Sequence, residues 1–410
     1  MSWRNEPVTL LHIELSTFCN AGCPLCLRYY NSSLIVRPDL NQTSISLEQF
    51  KQYFTVDFLS NLKRIIYCGT MGDPMMAKDC YEIVEYVDSL NPSCQQTFHT
   101  NGGARDSKFW AKMGRLFSKP NKKLIFSIDG LEDTNHLYRR NVDWKKLISN
   151  AKTFIDNGGN ATWEYLIFDH NDHQVEEARG LANAMGFKEF ISKRPTGFES
   201  KDGLFKPREV FDNEGNLLYQ IYPTKKPEYN GGKKVKINSL VDSIMNDEKY
   251  NVDLNLIKEV KQIGYFPIIK QRLDTFDSSR VKELGSYKHE LDKKQIKCHS
   301  LSQREGHEIY VNAEGIVYPC CFVGTRYDAR LVSFVDDQLK LSVMPFKDSL
   351  DLNIQNIDAI LASGVFEKIF VESWNKQSLE QGKMAICAET CSSNSWLDLL
   401  YIDNKEKNNG

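Results

Sequence analysis

The stretch Cys19-Asn20-Ala21-Gly22-Cys23-Pro24-Leu25-Cys26 follows directly on an apolar run, Val8 to Leu15. Its cysteines form a C-x3-C-x2-C pattern, so three thiolates share one tight loop and can hold one metal centre. Four-iron clusters take cysteine thiolates, normally four. Three clustered thiolates leave one iron open, and an open iron can bind a small molecule. Taken alone, the triplet also reads as a zinc knuckle completed by a distant His or Cys.

Working outward, Val8 to Leu15 reads as a buried strand that delivers the loop at its C-terminal end. Ser46 and Gln49 have capping-box spacing, and Leu47, Phe50, Phe54 and Phe58 give the following helix one apolar face. Leu62 to Cys68 is a second strand. It runs into Gly69-Thr70-Met71-Gly72-Asp73-Pro74, where glycines allow positive φ and close approach of backbone to a ligand. Further strands are expected at Gln96–Thr100, Leu124–Ile128, Thr162–Phe168 and Phe187–Ile191. Between them lie amphipathic helices carrying Ile83, Val84 and Val87, then Leu147, Ala151 and Phe154, then Val175, Ala178 and Met185, the last stopped by Gly186. Strand and helix thus alternate about six times over residues 8–193, which argues a parallel sheet with helices outside. The polar segments fall at the carboxyl ends of strands, where such folds place their sites. Asn101 and Ser127 supply short groups suited to hydroxyl or carboxylate hydrogen bonds. Cys68, Cys80 and Cys94 lie outside any metal spacing and read as small buried side chains.

The chain of 410 residues is long enough for a large core and about two domains. A net charge of −2 excludes a strong field toward nucleic acid or membrane, and no basic aromatic surface motif points to RNA. The opening MSWRNEPVTL lacks the pattern of a signal peptide, and no apolar run is long enough to span a bilayer. Eleven cysteines bunched in metal-like sets point to a reducing cytoplasm rather than to disulfides.

Residues 195–297 change character: Lys, Asp and Gly are frequent, and tracts such as PTKKPEYNGGKKVK read as surface loop. This segment is expected to act as a linker or a lid, with short helices near 252–262 and 279–292. A second cysteine set follows: Cys298, Cys320, Cys321, Cys387 and Cys391. Glu308–Val311 and Ile316–Cys320 read as a hairpin with Gly315 in a left-handed turn position. If Cys320 and Cys321 both lie in a strand they face opposite ways, so one cluster takes only one of them. From 353 to 374 a helical pattern carries Ile357, Ile360, Phe366 and Phe370, broken at Ser363-Gly364, and is expected to cover the hairpin. Trp396 to Tyr401 reads as a short helix before a polar tail.

The triplet loop, Gly72-Asp73-Pro74, Thr100-Asn101-Gly102, Ser127-Ile128-Asp129-Gly130 and Tyr138-Arg139 together resemble the motifs of radical S-adenosylmethionine (SAM) enzymes. The resemblance implies an α/β fold built on a partial (β/α)6 barrel, with a [4Fe-4S] cluster on Cys19, Cys23 and Cys26 whose open iron is chelated by SAM. Reductive cleavage of SAM then yields a 5′-deoxyadenosyl radical that abstracts a substrate hydrogen. It also implies SAM contacts from Gly72, Asp73, Asn101, Ser127 and Arg139, although Asp73 stands where the family usually has Glu. Cys298, Gly315-x4-Cys320 and Cys387-x3-Cys391 resemble the SPASM region in its shorter twitch form. That implies a small C-terminal domain of β-hairpin and helix, in which Cys298, Cys320, Cys387 and Cys391 bind one auxiliary [4Fe-4S] cluster. The spacing departs from the usual C-x2-C, and a four-thiolate zinc site is the competing reading. The Gly-x4-Cys spacing selects Cys320 as ligand and leaves Cys321 either as packing or as a thiol that contacts substrate or donates it a hydrogen atom.

The expected domains are a barrel over 1–194, an insert over 195–297 and an auxiliary-cluster region over 298–410. The expected substrate is a peptide or protein, with an external flavodoxin- or ferredoxin-type electron donor and, since only seven residues precede the first strand, a separate peptide-binding partner. One alternative is a dehydrogenase or isomerase of a polar small molecule such as an aminocyclitol. Another is a non-enzymatic metal-binding or electron-transfer protein.

Overall fold

The computed structural model describes residue 3 and residues 6–29, 32–198, 207–230, 288–302, 306–329 and 334–392. Six strands carry the architecture: β1 (Val8–Glu14), β2 (Arg64–Cys68), β3 (Gln95–Thr100), β4 (Lys122–Ser127), β5 (Ala161–Leu166) and β6 (Glu189–Lys193). They pair in that order, each parallel to the next. The helices Cys80–Leu90, Ser107–Leu116, Trp144–Asp156 and Val175–Met185 connect them. Each buries the apolar face its periodicity marks; Trp110, Phe126 and Phe154, for example, meet ring to ring under the sheet.

Two local readings hold to the residue. Ser46 and Gln49 form the capping box, and Gly186 ends its helix at φ +92°. One does not: the face Leu47–Phe58 is split into helices Leu47–Tyr53 and Val56–Asn61. Thr55 is the reason, since its hydroxyl accepts from Phe58 N at 3.2 Å and starts a new helix. The Phe54 and Phe58 rings still stack, 5.6 Å apart.

The segment after β6 holds more structure than its composition suggests. β7 (Arg208–Phe211) and β8 (Leu217–Ile221) form an antiparallel hairpin around a turn organised by Asp212, which accepts from Glu214 N and Asn216 N. It docks on the barrel through Tyr219 Oη to Leu137 O (2.9 Å) and Arg140 Nη1 to Phe211 O (3.4 Å). Residues 288–293 are helical. The helices expected at 252–262, before residue 288 and at Trp396–Tyr401 lie outside the described residues.

The second hairpin, β9 (His307–Val311) and β10 (Val317–Tyr318), joins the barrel sheet itself. β9 runs parallel to β1, giving the order β10-β9-β1-β2-β3-β4-β5-β6. Asn312 shapes the turn by accepting from Glu314 N and Ile316 N, and Gly315 sits at φ +85°. The strand expected to reach Cys320 ends at Tyr318, and Cys321 instead opens the helix Cys321–Ala329. The 353–374 pattern forms a helix over Ile357–Ser363, capped by Gly364 at φ +75°, and then resumes. No helix among the described residues is long and apolar enough to cross a membrane.

Candidate active site

β1 delivers the cysteine loop above the carboxyl ends of the sheet. Arg28, itself buried, donates to Thr17 O and to Met71 O (3.3 Å), so it ties this loop to the glycine-rich loop after β2. Glu14, also missed in the sequence reading, accepts from Met71 N at 3.1 Å and from Tyr310 Oη, joining the same loop to β9. The glycines serve this packing. A Cβ on Gly72 would lie 2.1 Å from Ser16 O, and one on Gly69 would lie 2.0 Å from Gly72 O. Neither glycine has the positive φ the sequence reading allowed. What each admits closely is the chain's own backbone.

The three thiols are each engaged from a different strand end. Cys19 Sγ accepts from Ala21 N (3.4 Å) and Asn101 Nδ2 (3.7 Å) after β3. Cys23 Sγ accepts from Arg139 Nη1 at 3.5 Å, beyond β4. Cys26 Sγ donates to Thr70 O at 3.9 Å after β2. Burial pushes all three up, Cys26 to about 12 with Cys23 as the next cause. Arg139 opposes the rise at Cys23. Thiols held neutral in this way are deprotonated when a metal binds them. No three His, Cys, Asp or Glu side chains among the described residues converge tightly enough for a single ion. The loop, its amide and guanidinium donors and its three neighbouring sulfurs suit a larger centre.

Asp73 is buried and accepts from Met75 N (2.9 Å), Thr100 Oγ1 (3.0 Å), Asn101 N (2.8 Å) and Asn101 Nδ2 (2.7 Å). Burial lifts its pKa despite these donors. Asp73 therefore acts on its surroundings through Asn101, which also reaches Asn20 Oδ1 (3.0 Å) and Cys19. Arg139 is held by Asp129, Nε to Oδ2 at 2.6 Å, while Leu166 N occupies the other carboxylate oxygen at 2.7 Å. Arg139 and Ser127 both face the barrel lumen, a cavity of about 1040 Å³. The lumen also draws on the segment after β6 (Thr196, Gly197) and on C-terminal residues (Ile386, Glu389).

Cys68 packs against the core and also lines this lumen together with His12 and Cys321. His12 neighbours both sulfurs, which with burial opposing them hold its pKa up, lies 3.7 Å from Glu308 and meets the Tyr310 ring edge-on. Deeper in, Lys193 and Glu164 pair at 2.5 Å, and burial brings His99 down to about 4. His12 and Glu164 carry no spacing signal. Only their inward position on alternating strands marks them, and the sequence does not show which face is the lumen.

In the second set, Cys298 precedes the short helix His299–Ser302, Cys320 lies between β10 and the Cys321 helix, and Cys387 and Cys391 bracket the end of the helix Ala385–Thr390. The segments are stitched by Lys297 N to Cys391 O at 2.7 Å. Burial raises all four thiols, Cys298 to about 12 with Cys391 as the next cause. After burial, Cys320 is influenced first by Cys321, then by Cys298 and Cys387. Backbone N–H groups partly oppose the rise at three of the thiols: Leu301 and Ser300 at Cys298, Val323 at Cys320 and His299 at Cys391. The adjacent Cys321 lines the lumen and also neighbours Cys320 and Cys391.

Residues 13–182 match the family described as the Radical SAM superfamily. No curated protein matches the sequence. Among solved structures the chain is similar to Streptococcus suis SuiB bound to S-adenosylmethionine, at 14% identity over 93% of this chain and 77% of that one, with a TM-score of 0.43. It is similar to hexahistidine-tagged anSMEcpe with bound AdoMet, at 14% identity over 94% and 86%, with a TM-score of 0.46. Native anSMEcpe with bound AdoMet and Cp18Cys peptide gives 14% identity over 94% and 89%, with a TM-score of 0.44.

Proposed function

Starting from the radical SAM domain over residues 13–182, we propose that this protein is a radical SAM enzyme that modifies a peptide or protein. The observation that carries the reading is the convergence of Asn101, Arg139 and the Thr70 carbonyl on the three thiols of one loop, with Thr70 and Arg139 also lining a large lumen. Cys19, Cys23 and Cys26 would hold a [4Fe-4S] cluster, with SAM over Gly72, Asn101, Ser127 and Arg139. Bound there, the pair supplies a radical able to abstract hydrogen from an unactivated carbon.

The chain's own residues set the geometry around that chemistry. Asp73 fixes Asn101 from behind, and Asp129 fixes Arg139. The N–H and guanidinium donors to sulfur favour the anionic thiolate and tune the centre. The lumen, walled by barrel and C-terminal residues, shields a reactive carbon from water. Cys321, which lines the lumen beside His12, would return a hydrogen atom to a substrate radical. The sulfur radical so formed takes up one electron from the external donor and a proton. Cys298, Cys320, Cys387 and Cys391 would bind one auxiliary cluster that accepts an electron or braces the C-terminal region.

The size of the lumen and its walls from several segments favour a peptide. Its Glu164–Lys193 pair favours a polar small molecule as the second reading. A turnover screen of short peptides against aminocyclitols separates them. The primary test is iron and sulfide content with EPR, on anaerobically reconstituted protein and on a Cys19/Cys23/Cys26→Ala variant. About eight irons falling to about four in the variant supports both clusters. About four falling to none removes the auxiliary cluster. A SAM-induced change in the EPR signal, lost in the variant, assigns the open iron, and iron-free protein that retains zinc refutes the reading.

A further inference from the structure

Cations outnumber acids in the lumen. Arg64, Arg139, Lys193, Arg194 and Arg326 line it, against Glu164 and Glu389. Three of the cations are matched: Arg139 by Asp129, Lys193 by Glu164 and Arg326 by Glu389 at 3.1 Å. Arg64 is different. It opens β2, and its Nε is sealed from solvent with no hydrogen-bond partner among the described residues. No carboxylate among them forms an ion pair with it. A sealed guanidinium N–H without a partner is costly, and the group's planar fork matches a carboxylate. Nearby His99 stays uncharged at neutral pH, burial being the main cause and Arg64 one of the cations that add to it. An uncharged imidazole can share in binding an anion by donating one N–H.

We propose that the substrate carries a carboxylate that Arg64 binds in the lumen, away from the reacting carbon; this rests on the peptide reading above. The carboxylate is an acidic side chain or the peptide's C-terminus. The separation follows from the strand. Arg64 and Cys68 both line the cavity from β2, and four residues of strand put their backbones roughly 13 Å apart. About four extended peptide residues span that length. The anion is thus a remote anchor whose binding positions the carbon presented at the thiol loop, rather than the group that reacts.

The test uses anaerobically reconstituted holoenzyme. A mixed octapeptide library with one fixed Glu, and a matched library with Gln, are each offered with free and amidated C-termini. Retained peptides are counted by mass spectrometry after spin filtration. The expected result is about tenfold enrichment of Glu over Gln, comparable to one charge-assisted pair. Arg64→Gln should remove the enrichment, and Arg64→Lys should keep part of it. The melting temperature of Arg64→Gln should be no lower than that of the wild type, because no partner is lost. Enrichment of free over amidated termini alone assigns the anion to the C-terminus. Peptides retained without regard to charge, or a preference that survives Arg64→Gln, overturn the proposal and leave the peptide reading standing. Glutarate is the second probe. If it raises the melting temperature of wild type but not of Arg64→Gln while no peptide is retained, the anion site stands and the peptide reading falls. If neither glutarate nor any peptide binds, the proposal is overturned.

Discussion

Replacing Asp73 by Ala tests whether the carboxylate in the glycine-rich loop works on the protein or directly on a ligand. Asp73 is 3% exposed. Its removal leaves Met75 N, Asn101 N and the Thr100 hydroxyl without an acceptor. Asn101 Nδ2 keeps Asn20 Oδ1. Each buried donor left unpaired costs about 1–3 kcal/mol. Relief of burying the carboxylate and entry of a water offset part of this, so a net loss of about 3 kcal/mol is expected. For a chain of this length that corresponds to roughly 3–4 °C in melting temperature. The assay is thermal unfolding of the metal-free protein by circular dichroism, paired with SAM binding to the reconstituted protein. SAM binding should weaken as well, because Asn101 loses the acceptor that orients it. Asp73→Glu should also lose stability, since a further methylene must fit where little solvent reaches. An Asp73→Ala protein that melts within about 1 °C of wild type yet fails to bind SAM would refute the argument and make Asp73 a direct ligand contact.

Gly72→Ala should abolish correct assembly of the loop. Its Cβ would meet Ser16 O at 2.1 Å, and the neighbours it meets are backbone that can move only by shifting β1's exit; a soluble variant with unchanged iron content and SAM affinity would contradict this. Cys321→Ala should leave 5′-deoxyadenosine formation in place while changing or halting product, read by mass spectrometry; an unchanged product removes Cys321 from the mechanism. Asp328 gives a pH-dependent case. Burial raises its carboxyl to about 7, against the hydrogen bonds from Asn312 and Tyr318. For an acid raised on folding, stability is fully present below the unfolded value near 4 and is lost as pH rises to about 7. Asp328→Asn should therefore stabilise more at pH 8 than at pH 5.5, by about 2 kcal/mol in melting or denaturant data. An equal gain at both pH values would show that Asp328 ionises normally.

The parts of this fold that were legible are those whose signal is local. The Ser46–Gln49 box, the Gly186 and Gly364 stops and the Gly315 turn each depend on a few bonded neighbours, and each stands where the sequence puts it. The same locality explains the split at Thr55, where a hydroxyl one turn from an apolar stripe outweighed the stripe's continuity. It also explains why the β7–β8 hairpin was readable only afterwards, from its Asp212-Asn213-Glu214-Gly215 turn within a polar tract. The lumen is a different kind of object. β2 reads Arg-Ile-Ile-Tyr-Cys, and its alternate residues Arg64, Ile66 and Cys68 line the cavity, while Ile65 and Tyr67 are buried in the core. Alternation is visible in those five letters, but the assignment of one face to a cavity is made by strands far away in the chain. Cys68 and Cys321 are 253 positions apart, yet both neighbour His12 of β1. Spacing rules find side chains that share a loop, as Cys19, Cys23 and Cys26 do. They are blind to groups that only the pairing of distant segments brings together. For this chain the cysteine loop is therefore legible in the sequence and the lumen is not, because the side chains that face the lumen are set by register across β1, β2, β5 and β6.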